Sequence, residues 1–590
     1  MTFVSEGSSV DPQIVEENSL LVEPDTTLEG HTYIGWYASD DQGDTLGVQW
    51  DFLNDRVIAD MTLYAGFDMN TYTITYVMNG TFQTPASSFL YQAITVAPTD
   101  PIRNGYTFGG WFSNIELTVP FVFGEPMPAQ NLTLYAKWTI NQYTITLHVN
   151  GGDALEPITL NFGQTVPTLP TPTKTDALFL GWYTNTSYVS VFNSGFAMPG
   201  NNLNAYAKWN WQFTDVWVGG NFSIARGVSG AYYAWGGNAN GQLGLGTTAN
   251  LRLPTLMPTL WVADNESIVD IVLGYSSAYA FTSDQKLFAW GSVNGSSNPM
   301  EFTISGLNPA ETIQKVMTSP YSGHTFYITS ESRIFAVGSN IEGQLGIGTN
   351  GPSASTSTPT LVTISDLDNA NNEVIVSIAT GSTHTLFISN LNRVWGAGRA
   401  IDGQLGINST PNNANTPTRI TTSFLDSGET IDYVKLGQNF SFIVSSNQRV
   451  FVFGSRNYGI YGDAGAATVN YIVPTVVEYS IFEGDETIVQ LEVITNSAYI
   501  LTSSGRMFGW GFGGQSALGL GGNTASEVPL HIPVTGLFAD ETIIAIDMSS
   551  NPVGHALTSS NRLLSWGRNI EGQVGNNTSL TFVVETPTFI

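Results

Sequence analysis

The chain has 590 residues, a net charge of −29, 61 glycines, 12% aromatic and only 11% charged residues. That length admits several domains, and the composition suits β-structure with many turns and argues against a disordered, highly charged tail. Both parts are acidic, with 5 basic against 20 acidic groups in 1–212 and 14 against 28 in 213–590, so neither offers the clustered Lys and Arg that nucleic-acid phosphates require.

The first 209 residues contain a repeat. An aromatic strand leads to Gly-Trp-aromatic at Gly35-Trp36-Tyr37, Gly110-Trp111-Phe112 and Gly181-Trp182-Tyr183, and a closing strand ends at Phe67, Trp138 or Trp209. These ends are 71 residues apart. Two copies open on alternating strands, Tyr72-Thr73-Ile74-Thr75-Tyr76 and Tyr143-Thr144-Ile145-Thr146-Leu147, a pattern of half-buried strands. The reading is three small β-dominated modules, 1–67, 68–138 and 139–209, each with its Gly-Trp strand in the core. The first is divergent: its opening Tyr-Thr-Ile-Thr strand is missing, and 39–47 reads as an insertion. Asp40, Asp41 and Asp44 cluster there near Gly43, but the alternating oxygen ligands and distant glutamate of a calcium loop are lacking, so a solvated turn is expected.

The stretches Gly105-Tyr106-Thr107-Phe108-Gly109-Gly110-Trp111-Phe112 and Asn131-Leu132-Thr133-Leu134-Tyr135-Ala136-Lys137-Trp138 resemble the Listeria–Bacteroides repeat, also called the internalin B-repeat. The resemblance covers 68–209 well and 1–67 less completely. It implies small β-grasp-like modules strung as stalks along bacterial surface proteins. No run of 18 apolar residues is present, so no membrane-inserted helix is expected. No signal peptide is visible at Met1, and an opening partway into a repeat leads us to expect an upstream part that carries one. The absence of cysteine excludes disulfides and thiolate chemistry and does not fix the compartment.

Residues 210–212 are too few, and of the wrong composition, for a flexible linker. From Phe213 onward a second repeat is anchored on Gly236, Gly291, Gly338, Gly398, Gly454, Gly511 and Gly567, at intervals of 55, 47, 60, 56, 57 and 56. Before each anchor lies a short apolar strand, such as one ending in Tyr233/Trp235 or Phe508/Trp510, and a second strand lies further upstream. A proline before a β-type run follows each anchor except the second by 18–21 residues, as at Pro254 and Pro587, which suits an edge strand. Each unit thus reads as four short strands. One such sheet cannot cover both of its faces, whereas seven around an axis can, so an all-β, seven-bladed propeller is expected at 213–590. The second unit has no Gly-Gln-Leu-Gly turn and its Pro299 follows Gly291 by 8, which predicts a trimmed blade. The Trp-Gly-x-Asn and Gly-Gln-Leu-Gly turns resemble those of the regulator-of-chromosome-condensation family, whose members imply a seven-bladed propeller.

Several constellations invite a chemical reading. His324, His384 and His555 recur on one strand pattern and raise the possibility of a metal triad, but they belong to different units without supporting carboxylates, and a structural role is expected. Gly346 to Gly351 spells G-x-G-x-x-G, yet Pro352 and a serine-rich loop follow instead of the helix whose amides would hold a pyrophosphate. Glu342, Asp402 and Glu571 recur before the Gly-Gln turns. Successive units separate them, whereas paired-carboxylate hydrolysis needs roughly 5–10 Å. No catalytic residue, cofactor or metal ligand is expected. Tyr458 and Tyr461 replace the acidic residue and the leucine of the fifth turn, and read as an exposed aromatic pair for partner binding.

These readings point to a non-enzymatic bacterial surface or secreted binding protein, with a stalk presenting a propeller to a protein or glycan. The alternative implied by the propeller resemblance is a regulatory protein, either a guanine-nucleotide exchange factor-like protein or an enzyme inhibitor.

Overall fold

The computed structural model describes residues 1–39, 45–78, 85–321, 323–465, 469–577 and 582–590. The aspartate cluster at 40–44 lies outside them. The chain forms two compact units, one of 1–172 with 181–207, the other of 173–180 with 208–590. Among the described residues all regular elements are strands, apart from four single 3-10 turns.

In the first unit, the central pairing of each module is parallel. Thr71–Val77 runs beside Leu132–Ile140, with Tyr76 opposite Leu134, and Gln142–His148 runs beside Leu203–Trp211 in the same way. The first module corrects the sequence reading. Its opening strand is shortened to Thr2–Val4 and not missing, and Phe3 opposite Leu63 takes the place that Tyr76 holds in the second. The Gly-Trp tryptophans are buried, and the indole N–H of Trp36 and of Trp182 donates to the carbonyl of a proline 12 residues earlier, Pro24 at 3.1 Å and Pro170 at 2.9 Å.

In the second unit, seven consecutive four-stranded antiparallel sheets follow one another among the described residues; they are numbered one to seven here. Sheet one runs Phe213–Val218, Phe222–Gly227, Tyr232–Gly236 and Leu251–Leu256. The first strands of successive sheets touch one another, and that of sheet seven, Ile543–Ser549, touches that of sheet one. The ring is also closed by backbone bonds from Trp211 N to Ile590 O and from Phe213 N to Asn561 O. This is a β-propeller. Its core is divided into apolar clusters, each shared by two neighbouring sheets, including seven with one.

The anchor glycines stand at or next to the end of the third strands, at a register shift, with φ between 85° and 110°. A Cβ on Gly338 would stand 1.8 Å from the Gly323 carbonyl oxygen, so the chain can pass only where no side chain exists. The prolines lie on the fourth, outer strands, where a missing N–H costs no ladder bond. Sheet two keeps four strands, Ser296–Glu301 being the last. What is shortened is the turn at 292–295, not the blade, because the edge pairing survives with Ala289 opposite Met300.

A clasp not read from sequence closes the hairpin of most sheets. A glutamate just before the first strand pairs with an arginine about 20 residues on: Glu311 with Arg333, Glu373 with Arg393, Glu429 with Arg449, Glu486 with Arg506 and Glu541 with Arg562. Sheet two uses Glu266 and Lys286, 2.5 Å apart. The arginines lie over the aromatic ring two residues ahead in four sheets, as Arg449 does over Phe451 at 5.0 Å. Among the described residues sheet one has no such pair. There the buried Asp176 accepts from Ser229 N, Ser229 Oγ and Tyr233 OH at 2.7–2.9 Å, and its carbonyl accepts from Gln212 N. This explains why 173–180 packs with 208–590.

Arg562 and Glu541 are both buried, and the guanidinium lies 3.7 Å from the Phe538 ring centre and 3.8 Å from that of Phe589. Arg562→Ala leaves a buried carboxylate without its partner and should lower the stability of this unit by about 3 kcal/mol in denaturant titrations. Hydrogen bonds from Arg333 and Arg449 pull the Glu311 and Glu429 carboxyls down to about 2. Their folded values lie below the unfolded one, so this stabilisation is complete above about pH 4.5 and is lost as pH falls through about 2. In Glu429→Gln, the fall in Tm across that window should be smaller than in the native chain.

Candidate functional site

The Gly-Gln-Leu-Gly turn is built by its own side chains. In sheet one, Gln242 Oε1 accepts from Asn240 N at 2.9 Å and Asn238 Oδ1 accepts from Leu243 N at 3.0 Å. Sheets three and seven repeat both bonds, and sheet four repeats the glutamine one. Glu342, Asp402 and Glu571 thus stand where the glutamine closes the turn, in sheets three, four and seven. Asp402 and Glu571 also approach Arg399 and Arg568 at 3.4 and 3.8 Å. The G-x-G-x-x-G stretch continues into the 3-10 turn Pro352–Ala354 and not into an α-helix.

The three histidines are fully buried in sheets three, four and seven. Two of them tie neighbouring sheets together: His384 Nε2 lies 2.9 Å from Ser441 Oγ, and His555 Nε2 lies 2.8 Å from Ser223 Oγ, with its Nδ1 2.5 Å from Ser565 Oγ. Burial lowers all three, His324 to about 4 and the others to about 3, so the rings stay neutral. Among the described residues no group of three or more His, Cys, Asp or Glu is placed to hold a metal ion.

The fifth turn separates the two tyrosines that the sequence pattern pairs. Tyr458 is 50% exposed, in a left-handed conformation with φ 62°, and its ring packs edge-on against the 38% exposed Phe512 at 5.1 Å. Tyr461 is 1% exposed, which corrects its expected exposure. It fills the place of the turn's leucine: its ring stacks on Tyr471 at 4.6 Å, and its OH donates to Gly454 O at 2.5 Å and accepts from Tyr471 N at 2.8 Å. The exposed aromatic surface is therefore Tyr458 with Phe512, a pair that strand periodicity does not reveal because the rings come from different repeats.

A second polar feature lies on the first strands of sheets five to seven. Lys435 Nζ contacts both Glu492 carboxylate oxygens at 2.6 and 2.7 Å, and Asp547 Oδ2 accepts from Val218 N at 3.0 Å. Burial and then the Glu492 charge raise Asp547. Burial opposes charge on Lys435, but Glu492 outweighs it and the ammonium is stabilised. Lys435 thus balances Glu492, and burial disfavours the charge on Asp547.

The burial difference separates the tyrosines in a stability test. Tyr461→Ala should cost about 3 kcal/mol or more, since it empties a packed site and frees two backbone groups. Tyr458→Ala should leave stability within about 0.5 kcal/mol, because its ring is half in solvent. Thermal unfolding of both variants reads the contrast.

Comparison with known proteins agrees with this geometry. The Listeria-Bacteroides repeat domain model matches 1–66, 72–137 and 143–208, and the regulator of chromosome condensation (RCC1) repeat model matches 229–281 and 331–388. Internalin H of Listeria monocytogenes is 40% identical over 130 residues, 22% of this chain and 23% of that protein. A protein of Evansella cellulosilytica ascribed to the membrane is 30% identical over 223 residues, 38% of this chain and 33% of the relative. The chain thus spans about a third or less of the length of the curated relatives first matched. The crystal structure of human WBSCR16 is 20% identical, covering 61% of this chain and 94% of that one with a TM-score of 0.50, a likeness of fold alone.

Proposed function

Because the chain carries three Listeria-Bacteroides repeats followed by a propeller with RCC1 repeats, we propose that it is a non-enzymatic bacterial surface protein that binds a partner. The N-terminal repeats act as a stalk and the propeller acts as the binding head. The observation that carries this reading is the run of three repeats over 1–208, and the 40% identity with internalin H over 130 residues supports it. The Evansella relative ascribed to the membrane supports the same location. No helix among the described residues is long and apolar enough to cross a membrane.

The partner is a protein or glycan met through the loop-bearing face of the propeller. Tyr458, with Phe512 beside it, contributes an exposed aromatic anchor, and Tyr461 acts by holding that turn in shape. The RCC1 repeats favour a second reading, a regulatory propeller acting like a guanine-nucleotide exchange factor or an enzyme inhibitor. Its requirement is acceleration of nucleotide release from a small GTPase, or loss of a target enzyme's activity.

Surface location is tested by protease treatment of intact cells expressing the full reading frame. Cleavage of the 1–208 repeats without lysis is expected, and protection until lysis would overturn the reading. Against a partner captured by surface cross-linking, Tyr458→Ala should weaken binding by about tenfold.

A further inference from the structure

The third-to-fourth-strand turn of six sheets reaches across to the next sheet and is received there in one of two ways. In four junctions an indole N–H donates to a turn carbonyl: Trp290 to Gln242, Trp510 to Ile460, Trp566 to Ala517 and Trp235 to Gln573, at 2.8–3.0 Å. In two, where the indole is replaced by Ala397 or Phe453, a hydroxyl donates instead: Thr385 to Gln344 and Ser441 to Gln404, both at 2.8 Å. Each turn then buries one side chain, Leu243, Leu345, Leu405, Tyr461, Leu518 or Val574.

The junction of sheets two and three has the receiving half without the turn. After Gly291 the chain folds back at once, with Gly295 N bonded to Gly291 O and Asn294 Nδ2 to Ala289 O. On sheet three, Val337 stands at the indole position and Thr325 at the hydroxyl position. Thr325 Oγ1 is turned to Thr318 Oγ1 at 2.9 Å and not to a turn carbonyl. The space left is an open cleft of about 710 Å³ whose lining includes Tyr279, Phe302, Thr325, Tyr327 and Val337. The Tyr279 and Tyr327 hydroxyls meet at 3.2 Å. Among the described residues no Asp, Glu, Lys, Arg or His lines it, and burial holds both phenols above their ordinary range, hence uncharged. A charged occupant would lose its hydration here without a counter-charge.

We propose that this cleft is a docking site for an uncharged turn of a partner protein, which supplies the element that sheet two lacks. A backbone carbonyl of the incoming turn accepts from Thr325 Oγ1, and a leucine-sized side chain covers Val337 and the tyrosine pair. The six filled junctions define the occupant, since the same receiving positions hold such a turn in each. The inference rests on the binding reading above and makes it specific, selecting a protein over a glycan.

The test uses the full chain and a head-to-tail cyclised peptide with the sequence of residues 239–245, Ala-Asn-Gly-Gln-Leu-Gly-Leu, pre-organised as a turn. Saturation-transfer NMR at millimolar peptide should show transfer to the leucine methyls. Val337→Trp supplies the indole that donates to the turn carbonyl at four other junctions and should tighten peptide binding about fivefold. Val337→Phe, which copies the ring that Phe453 places beside a turn received by Ser441 and has no indole N–H, should leave binding near the native level and separates the hydrogen bond from ring bulk. Thr325→Val should weaken binding about fivefold. No transfer to the native chain, or equal affinity in native, Thr325→Val and folded Val337→Trp chains, would overturn the proposal. So would an oligosaccharide that binds in place of the peptide and is weakened by Thr325→Val. If a cross-linked surface partner is held equally by native, Thr325→Val and Val337→Trp chains, the cleft is refuted while the binding reading stands. Confinement of the protein inside cells refutes the surface reading without touching the peptide result.

Discussion

The propeller depends on one interaction, the insertion of a turn from six of its seven described sheets against the next sheet. A four-stranded sheet has two faces to cover and cannot do so alone. Here the cover comes from a residue of the neighbour's turn, buried under a carbonyl that an indole or hydroxyl receives. That requirement sets the local sequence. Two glycines with positive φ shape the turn, as Gly241 at 76° and Gly244 at 69° do, glutamine closes it onto its own backbone, and leucine enters the junction. Polar and apolar demands are met by one short stretch, which is why four units keep it almost letter for letter.

The hairpin clasp serves the opposite edge of each sheet. Glutamate and arginine about 20 residues apart fasten the start of the first strand to the hairpin between the second and third. Ion pairs at half-exposed sites contribute little, but these carboxylates are buried and also receive hydroxyls, as Glu429 does from Ser445. In sheet one a carboxylate from outside the repeat, Asp176, takes this place through Ser229 and Tyr233. A repeat can thus lose its own clasp when another segment supplies the charge.

Much of this fold was legible because it is periodic. Glycine anchors, strand pairs and edge prolines repeat at a nearly fixed interval, and each has one physical cause. What was not legible involves residues far apart or substitutions with two meanings. A tyrosine at a leucine position reads as a surface aromatic, but at 461 its OH finds two backbone partners and the ring is buried. Tyr458 and Phe512 meet across repeats, and Asp176 reaches a sheet that begins 37 residues later. The shortened second unit was visible as a deletion. Its consequence was not, since the missing turn leaves the strands of sheet two intact and opens the junction with sheet three.

The use of basic residues inside the propeller shapes what its surface can recognise. Of the 14 Lys and Arg in 213–590, six are engaged in hairpin clasps, and Lys435 is paired with Glu492. The surface is left with an excess of carboxylates and few cations, so an acidic partner is repelled at long range and a neutral or basic one is not. On the proposed reading, close contact would then come from groups that are neither, namely half-exposed rings such as Tyr458 and Phe512 and uncharged hydroxyl-lined hollows. On the binding reading proposed above, an acidic propeller that commits five of its eleven arginines to its own hairpins would hold a partner by shape, aromatic contact and backbone hydrogen bonds, with charge serving mainly to exclude the wrong ones.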